Sequence, residues 1–209
     1  MAELASYLSP DETARARRFH FEEHRRRFIA GRGILRRLLG TYLELNPQKL
    51  RFCRRRYGKP FLPPATGSTS LSFNMSRSEG LALFALTRNR AVGIDLEKIR
   101  PLPDAEPIAR SYFHPDEFSY MRALPEKDQT RGFFDIWTRK EAYLKAIGRG
   151  LGGPDAPDLP PLVPGGADSG FIKTPGGTGW TILGLRPDSF FCGAVAAEGA
   201  GVLFRRFSF

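Results

Sequence analysis

A chain of 209 residues that is 41% hydrophobic and holds 17 Phe has apolar material for one large domain or two small ones packed together, which excludes disorder as its main state. No apolar run approaches the roughly 20 residues of a membrane span, and residues 1–12 lack the charged-then-apolar order of a signal peptide, so a cytoplasmic protein with no membrane partner is expected. The formal net charge of +10 is concentrated: residues 1–60 carry 15 Lys and Arg against 6 Asp and Glu, and residues 61–209 carry 17 against 16.

Along the chain, Ser9-Pro10-Asp11-Glu12 spells a helix start, with Ser9 as N-cap, Pro10 in the first turn and Glu12 three residues on. A longer helix is predicted over 22–44, with Phe28, Leu35, Leu38 and Tyr42 as its apolar stripe and Asn46-Pro47 as its stop; Arg27 and Arg32 point away from that stripe. Residues 57–70 read as a turn-rich loop carrying Lys59. A strand over 71–74 leads to the polar tripeptide Ser76-Arg77-Ser78, taken as a tight turn. Residues 81–87, a turn at 88–90 and residues 91–97 read as a β-hairpin.

The segment 101–103 (Pro-Leu-Pro) is the expected junction between halves of residues 1–99 and 100–209. Helices are predicted over 106–112, 115–123 and 130–147, the last stopped by Gly148, Gly150, Gly152, Gly153 and Pro154. Residues 152–180 have no periodic pattern and are expected to form a long, partly mobile loop. Strands over 180–185, 190–197 and 202–207 close the chain. Cys53 and Cys192 match no metal spacing and are expected as two reduced, mostly buried thiols.

Two patterns carry chemistry. In residues 91–97, strand alternation sets Asp95 and Glu97 on the face opposite Val92, Ile94 and Leu96, with i and i+2 about 6.6–7 Å apart. Two such carboxylates can converge on one magnesium ion, which takes oxygen ligands and substrate phosphates. In the last long helix, Phe133, Trp137, Glu141 and Lys145 recur every four residues, so an aromatic stripe runs into an acid and a base. Each pattern also has an ordinary reading: a solvated strand end for the first, a surface ion pair worth about 0.2–0.5 kcal/mol for the second. Ser76-Arg77-Ser78 offers two hydroxyls and a guanidinium, a composition that suits a phosphate. The basic N-terminal segment suits a polyanion, a phosphorylated small molecule or an acidic protein surface, although charge alone slightly favours a solvated arginine-rich helix face with no dedicated ligand. His20, His24 and His114 have no zinc spacing, and there is no Walker loop, G-x-G-x-x-G or G-x-S-x-G.

Taken together and in order, the motifs resemble those of the Sfp-type 4′-phosphopantetheinyl transferases. Tyr57-Gly58-Lys59-Pro60 is similar to the family's G-K-P, residues 73–78 (Phe-Asn-Met-Ser-Arg-Ser) to F-N-x-S-H-S, and residues 92–97 (Val-Gly-Ile-Asp-Leu-Glu) to V-G-I-D-x-E. Residues 113–117 resemble F-F-x-x-x-E, and residues 137–151 resemble W-x-x-K-E-x-x-x-K-x-x-G-x-G-L. Arg77 stands where the family usually has His.

The resemblance implies an α+β fold of two similar, pseudo-duplicated α/β halves, each a small mainly antiparallel sheet with a long helix packed on it, and an active site at the interface between halves. It implies transfer of the 4′-phosphopantetheine arm of coenzyme A to a serine of an acidic acyl or peptidyl carrier protein by a monomer that binds no nucleic acid. Asp95, Glu97 and Glu141 would hold Mg²⁺. Glu141 would accept the serine proton, and Lys145 would neutralise charge on the phosphoryl group. Lys59, Ser76 and Arg77, with Arg15, Arg27 and Arg32, would contact the coenzyme A phosphates. Two other readings stay open: a non-catalytic basic module that binds nucleic acid, which leaves the three carboxylates unexplained, and a magnesium-dependent phosphotransferase acting on another diphosphate.

Overall fold

A computed structural model of the chain describes residues 1–63, 70–149, 159–164, 169–173, 177 and 179–208. It is a mixed α and β structure with antiparallel sheets and two 22-residue helices. The chain divides into a smaller compact unit, Met1–Arg55 with Pro60–Leu71, and a larger one, Arg56–Lys59 with Ser72–Phe209. No helix among the described residues is long and apolar enough to cross a membrane.

The smaller unit contains α1 (Ala2–Ser6), α2 (Pro10–Arg17), α3 (Glu22–Leu43), a 3-10 turn at Pro47–Lys49, and the short antiparallel pair β1 (Cys53–Arg54) and β2 (Pro60–Phe61). As the sequence predicts, α2 opens after Ser9, whose N–H donates to Oε2 of Glu12 at 3.3 Å. Glu12 then does more than cap. It is buried and pairs with Arg32 at 2.8 Å and Arg36 at 2.5 Å. Arg36, 2% exposed, also donates to the carbonyls of Pro47 and Leu50 at 2.6 and 3.2 Å, tying α2, α3 and the 3-10 turn together. Removing either partner would strand a buried charge, so this pair is structural.

The apolar stripe of α3 is rotated from expectation. Phe28, Leu35 and Leu39 are buried, whereas Leu38 is half-buried and Tyr42 is exposed. The cause is close packing on α1: a Cβ at Gly33 would overlap the backbone and side chain of Leu4, which turns the Gly33–Arg36–Gly40 face inward. Cys53 is exposed, contrary to the expected burial, because it lies on the two-residue strand β1 with both residues outward.

In the larger unit, β3 (Leu71–Ser78) pairs with β4 (Leu81–Arg88), and β5 (Val92–Lys98) begins a four-stranded sheet. Three helices follow, α4 (Ala105–Tyr112), α5 (Pro115–Ala123) and α6 (Glu126–Ile147), then β6 (Ser169–Lys173), β7 (Gly179–Leu185) and β8 (Phe191–Glu198). The sheet is antiparallel in the order β5-β8-β7-β6, with Asp95 opposite Ala194.

Several expectations change here. The hairpin of residues 81–87 with 91–97 does not form: β4 turns back on β3 through Glu79-Gly80, with Glu79 at φ 52°, and β5 pairs with β8 instead. Ser76, Arg77 and Ser78 are therefore the end of a strand and not a turn. Residues 169–173 form a strand inside the predicted loop, and Leu159 and Leu162 join the core. Residues 202–207 make no ladder; Val202 and Phe204 instead pack on Ala85, Val92 and Val195. α6 starts four residues earlier than predicted and ends at Gly148, φ 73°. The further stop signals at 150–154 lie outside the described residues.

Strand alternation sorts the two faces of this sheet. Val92, Ile94, Val195 and Ala197 face β4, while Ala194, Ala196, Trp180 and Ile182 meet Ala142, Leu144 and Ala146 of α6. Gly93, Asp95 and Glu97 thus face the α6 side. Beneath α6, Glu117 of α5 is fully buried and accepts from Lys140 Nζ, the Leu162 N–H and the His114 N–H, each at 2.8 Å, an anchor with its charge compensated.

The contact of β5 with α6 is close enough to exclude a side chain. A Cβ at Gly93 would overlap the Ala142 carbonyl oxygen and the Ala146 backbone nitrogen. Gly93→Ala is therefore expected to lower the urea midpoint, with a loss of at least about 1–3 kcal/mol from overpacking; an unchanged midpoint would refute the backbone contact.

Candidate active site

The α6 side of β5 presents Asp95, which is 2% exposed. Its Oδ1 accepts from Ser76 Oγ of β3 at 2.9 Å and from Lys145 Nζ of α6 at 2.6 Å. Lys145 also reaches Ser76 Oγ at 3.3 Å, closing a three-membered polar cluster. The other carboxylate oxygen, Oδ2, is buried and has no hydrogen-bond partner among the described residues. A buried polar oxygen without a partner is costly, which makes it a candidate for a ligand.

Glu97 and Glu141 stand beside this cluster. Burial pushes the Glu97 carboxyl above its usual range, the Asp95 charge adds to this, and Arg100, Ser78 and Lys145 oppose it. Burial likewise raises Glu141; Lys145 opposes, and the Asp95 and Glu97 charges raise it further. The three carboxylates named by sequence spacing therefore sense one another across β5 and α6. The stripe on α6 carries the same continuity: Phe133 is buried and stacks on Trp137 at 5.7 Å, and the next turns deliver Glu141 and then Lys145, both half-buried.

Side chains complete the outer edge of β5, which among the described residues has no backbone ladder on that side. Lys59 Nζ donates to the carbonyls of Val92 (2.8 Å) and Ala146 (2.9 Å), binding the strand to the end of α6. Asn74 Oδ1 accepts from Ile94 N–H at 2.8 Å, and Ser78 Oγ accepts from Lys98 N–H at 3.0 Å. Partner numbers rise together, so β3 and β5 run in the same direction. Sequence reasoning missed Asn74 and read Ser78 only as a hydroxyl in a turn suited to phosphate. The available signal was the period-two polar run of Asn74, Ser76 and Ser78, which places all three on one face of β3. Arg77 falls on the opposite face and is exposed.

Arg15, Arg27 and Arg32 belong to the smaller unit. Arg15 lies over the Phe28 ring at 5.3 Å, and Arg27 pairs with Glu23 at 2.5 Å. Arg32 pairs with Glu12 and lies over Phe52 at 4.9 Å; burial pulls its guanidinium below its usual value while Glu12 opposes the shift. It lines a polar cavity of about 220 Å³ with Arg36, Arg51, Arg54, Asp11 and Glu12. This composition suits an anion.

Among the described residues, no three His, Cys, Asp or Glu side chains form a ready-made metal cage. The donors nevertheless fit magnesium. Asp95 Oδ2 lacks a partner, Glu97 and Glu141 are pushed up partly by neighbouring negative charge, and magnesium brings waters and substrate oxygens to complete its shell.

Two family models match the chain: the 4′-phosphopantetheinyl transferase superfamily over residues 91–183, and the 4′-phosphopantetheinyl transferase N-terminal family over residues 1–88. The chain is 43% identical over 203 residues to the 4′-phosphopantetheinyl transferase HetI of Nostoc sp., covering 96% of this chain and 83% of that protein. It is 31% identical over 146 residues to the 4′-phosphopantetheinyl transferase Sfp of Bacillus subtilis, covering 70% of this chain and 62% of that protein.

The raised carboxyls of Glu97 and Glu141 bind protons more tightly folded than unfolded. Their stabilising contribution is complete below the ordinary carboxylate range and is lost as pH rises through the elevated folded values. Glu141→Gln should therefore raise the melting temperature of the metal-free protein at neutral pH by about 2–4 °C, the effect of ~1 kcal/mol at this size. That advantage should vanish as pH falls into the ordinary carboxylate range. A variant less stable than wild type at neutral pH would contradict the raised carboxyl of Glu141.

Proposed function

Because the chain belongs to the 4′-phosphopantetheinyl transferase superfamily, we propose that it transfers the 4′-phosphopantetheine arm of coenzyme A to a serine hydroxyl of an apo acyl or peptidyl carrier protein, with magnesium. The serine oxygen bonds to the phosphorus bearing pantetheine, the bond from that phosphorus to the bridging oxygen breaks, and adenosine 3′,5′-bisphosphate leaves. The observation that carries this reading is buried Asp95, with Oδ1 held by Ser76 and Lys145 and Oδ2 unpartnered, beside Glu97 and Glu141.

Phosphoryl transfer asks the protein mainly for positioning and for charge stabilisation. Magnesium, when bound, would neutralise pyrophosphate charge, and Asp95, Glu97 and Glu141 would hold it. Glu141 is the group we assign to accept the serine proton: its raised carboxyl is a better base than an ordinary exposed glutamate. Lys145 already places its ammonium at the carboxylate cluster, where it offers a compact charge to a phosphoryl oxygen. Ser76, Arg77 and Lys59 are proposed contacts to the coenzyme A phosphates, although two of the Lys59 donors are committed to backbone carbonyls. Arg15, Arg27 and Arg32 would serve the remaining phosphate, and the basic smaller unit would steer both coenzyme A and an acidic carrier toward the protein. One chain supplies every proposed site residue, so the reading is of a monomer, working in the cytoplasm.

Incubation with coenzyme A, Mg²⁺ and apo carrier proteins should add the mass of phosphopantetheine to the carrier. No mass gain across fatty-acid, polyketide and nonribosomal peptide carriers would overturn the proposal. Glu141→Gln is expected to slow transfer on the order of 10²–10⁴-fold, the usual contribution of a general base. Arg77→Ala should raise the KM for coenzyme A more than it lowers kcat; an unchanged KM would remove Arg77 from the binding site.

A further inference from the structure

The polar face of β3 matches the carboxylate face of β5 residue for residue. Ser76 donates to Asp95, and two residues on, Ser78 lies 3.3 Å from Oε2 of Glu97, also two residues on. A serine hydroxyl has one proton and two lone pairs. At Ser78 a lone pair is taken by the N–H of Lys98 at 3.0 Å, which leaves the proton free to turn to Glu97. Arg100, a further neighbour of Glu97, is 3.8 Å away and has a side chain 55% exposed, so it holds the carboxylate weakly.

We propose that Ser78 is a positioning residue for the transfer reaction: oriented by the Lys98 N–H, its hydroxyl fixes Oε2 of Glu97 and so aims that carboxylate at the magnesium-pyrophosphate group. This rests on the reading above in which Glu97 helps to hold magnesium. The hydroxyl acts through Glu97 and need not touch substrate. Groups that orient metal-holding carboxylates in this way typically change metal affinity about 10–100-fold when removed. Asn74 shares the face of β3 and accepts from the Ile94 N–H, so in this pairing it positions the strand and not a carboxylate.

The test compares Ser78→Ala, Ser78→Thr and Ser78→Val in the full chain. Thr and Val have nearly the same shape and both suit a strand, so they differ in the hydroxyl alone. Metal binding is read without turnover, by Mn²⁺ paramagnetic resonance titration with coenzyme A present, and half-saturating Mg²⁺ is read from transfer rates. Expected is a roughly 10-fold weakening of both for Ala and Val and recovery to within about twofold for Thr. At saturating metal, kcat and the KM for coenzyme A should stay close to wild type. Equal metal affinity in Thr and Val, or a wild-type value in Ala, would overturn the role of Ser78 while leaving the metal reading intact. Wild-type transfer that persists with all divalent metal chelated would instead overturn the metal reading, and this proposal with it.

Discussion

The larger unit depends on the backbone contact between α6 and β5 at Gly93. No side chain fits there, so helix and strand lie closer than ordinary packing allows. Strand alternation then leaves only odd-numbered residues on the α6 side. Two and four residues beyond Gly93 these are Asp95 and Glu97, and one helical turn from Ala142 on α6 comes the contact residue Ala146, with Lys145 beside it. The distance between an acid on the strand and a base on the helix is thus set by a glycine that carries no chemistry. The 2.6 Å pairing of Lys145 with Asp95 is its consequence.

A strand carrying carboxylates at a sheet edge raises two physical problems, and β3 answers both. The outward N–H groups need acceptors, and a second backbone ladder would crowd the acids. Side chains from Asn74 and Ser78 accept from Ile94 and Lys98, while Lys59 donates to Val92. The edge is satisfied by groups that also reach the acids, since Ser76 and Ser78 each donate to one of them. What β3 does not remove is the crowding of Asp95, Glu97 and Glu141; burial first, and neighbouring negative charge after it, raises the latter two. Crowded like charge left in place is the usual mark of a site built for a ligand and not for stability.

Positive charge is used in two ways in the smaller unit. Arg36 is consumed by structure, bound to Glu12 and two carbonyls in a buried position. Arg15, by contrast, is exposed over an aromatic ring, and Arg32 lines an arginine-rich cavity with its one paired acid. The number of arginines in this unit overstates what a polyanion could engage, because Arg36 and Arg32 already pair with Glu12.

The helices were legible in the sequence because their determinants are local. The Ser9–Glu12 cap, the boundaries of α5 and the four-residue recurrence of Trp137, Glu141 and Lys145 depend only on neighbours within a turn or two. The alternation of residues 92–97 likewise named Asp95 and Glu97 with no knowledge of their partners. Strand pairing was not legible. The turn at 88–90 suggested a local hairpin, but β5 found β8, a hundred residues away, where the sheet buries both of its faces. The polar run of residues 74–78 looked like a turn because its hydrogen-bond partners lie about twenty residues on and appear only when β5 is in place. Which residues are candidates for the chemistry follows from residue type and short-range geometry, and the sequence by itself determined those candidates. How those residues are oriented, satisfied and held apart depends on contacts between distant segments, and only the tertiary structure decided it.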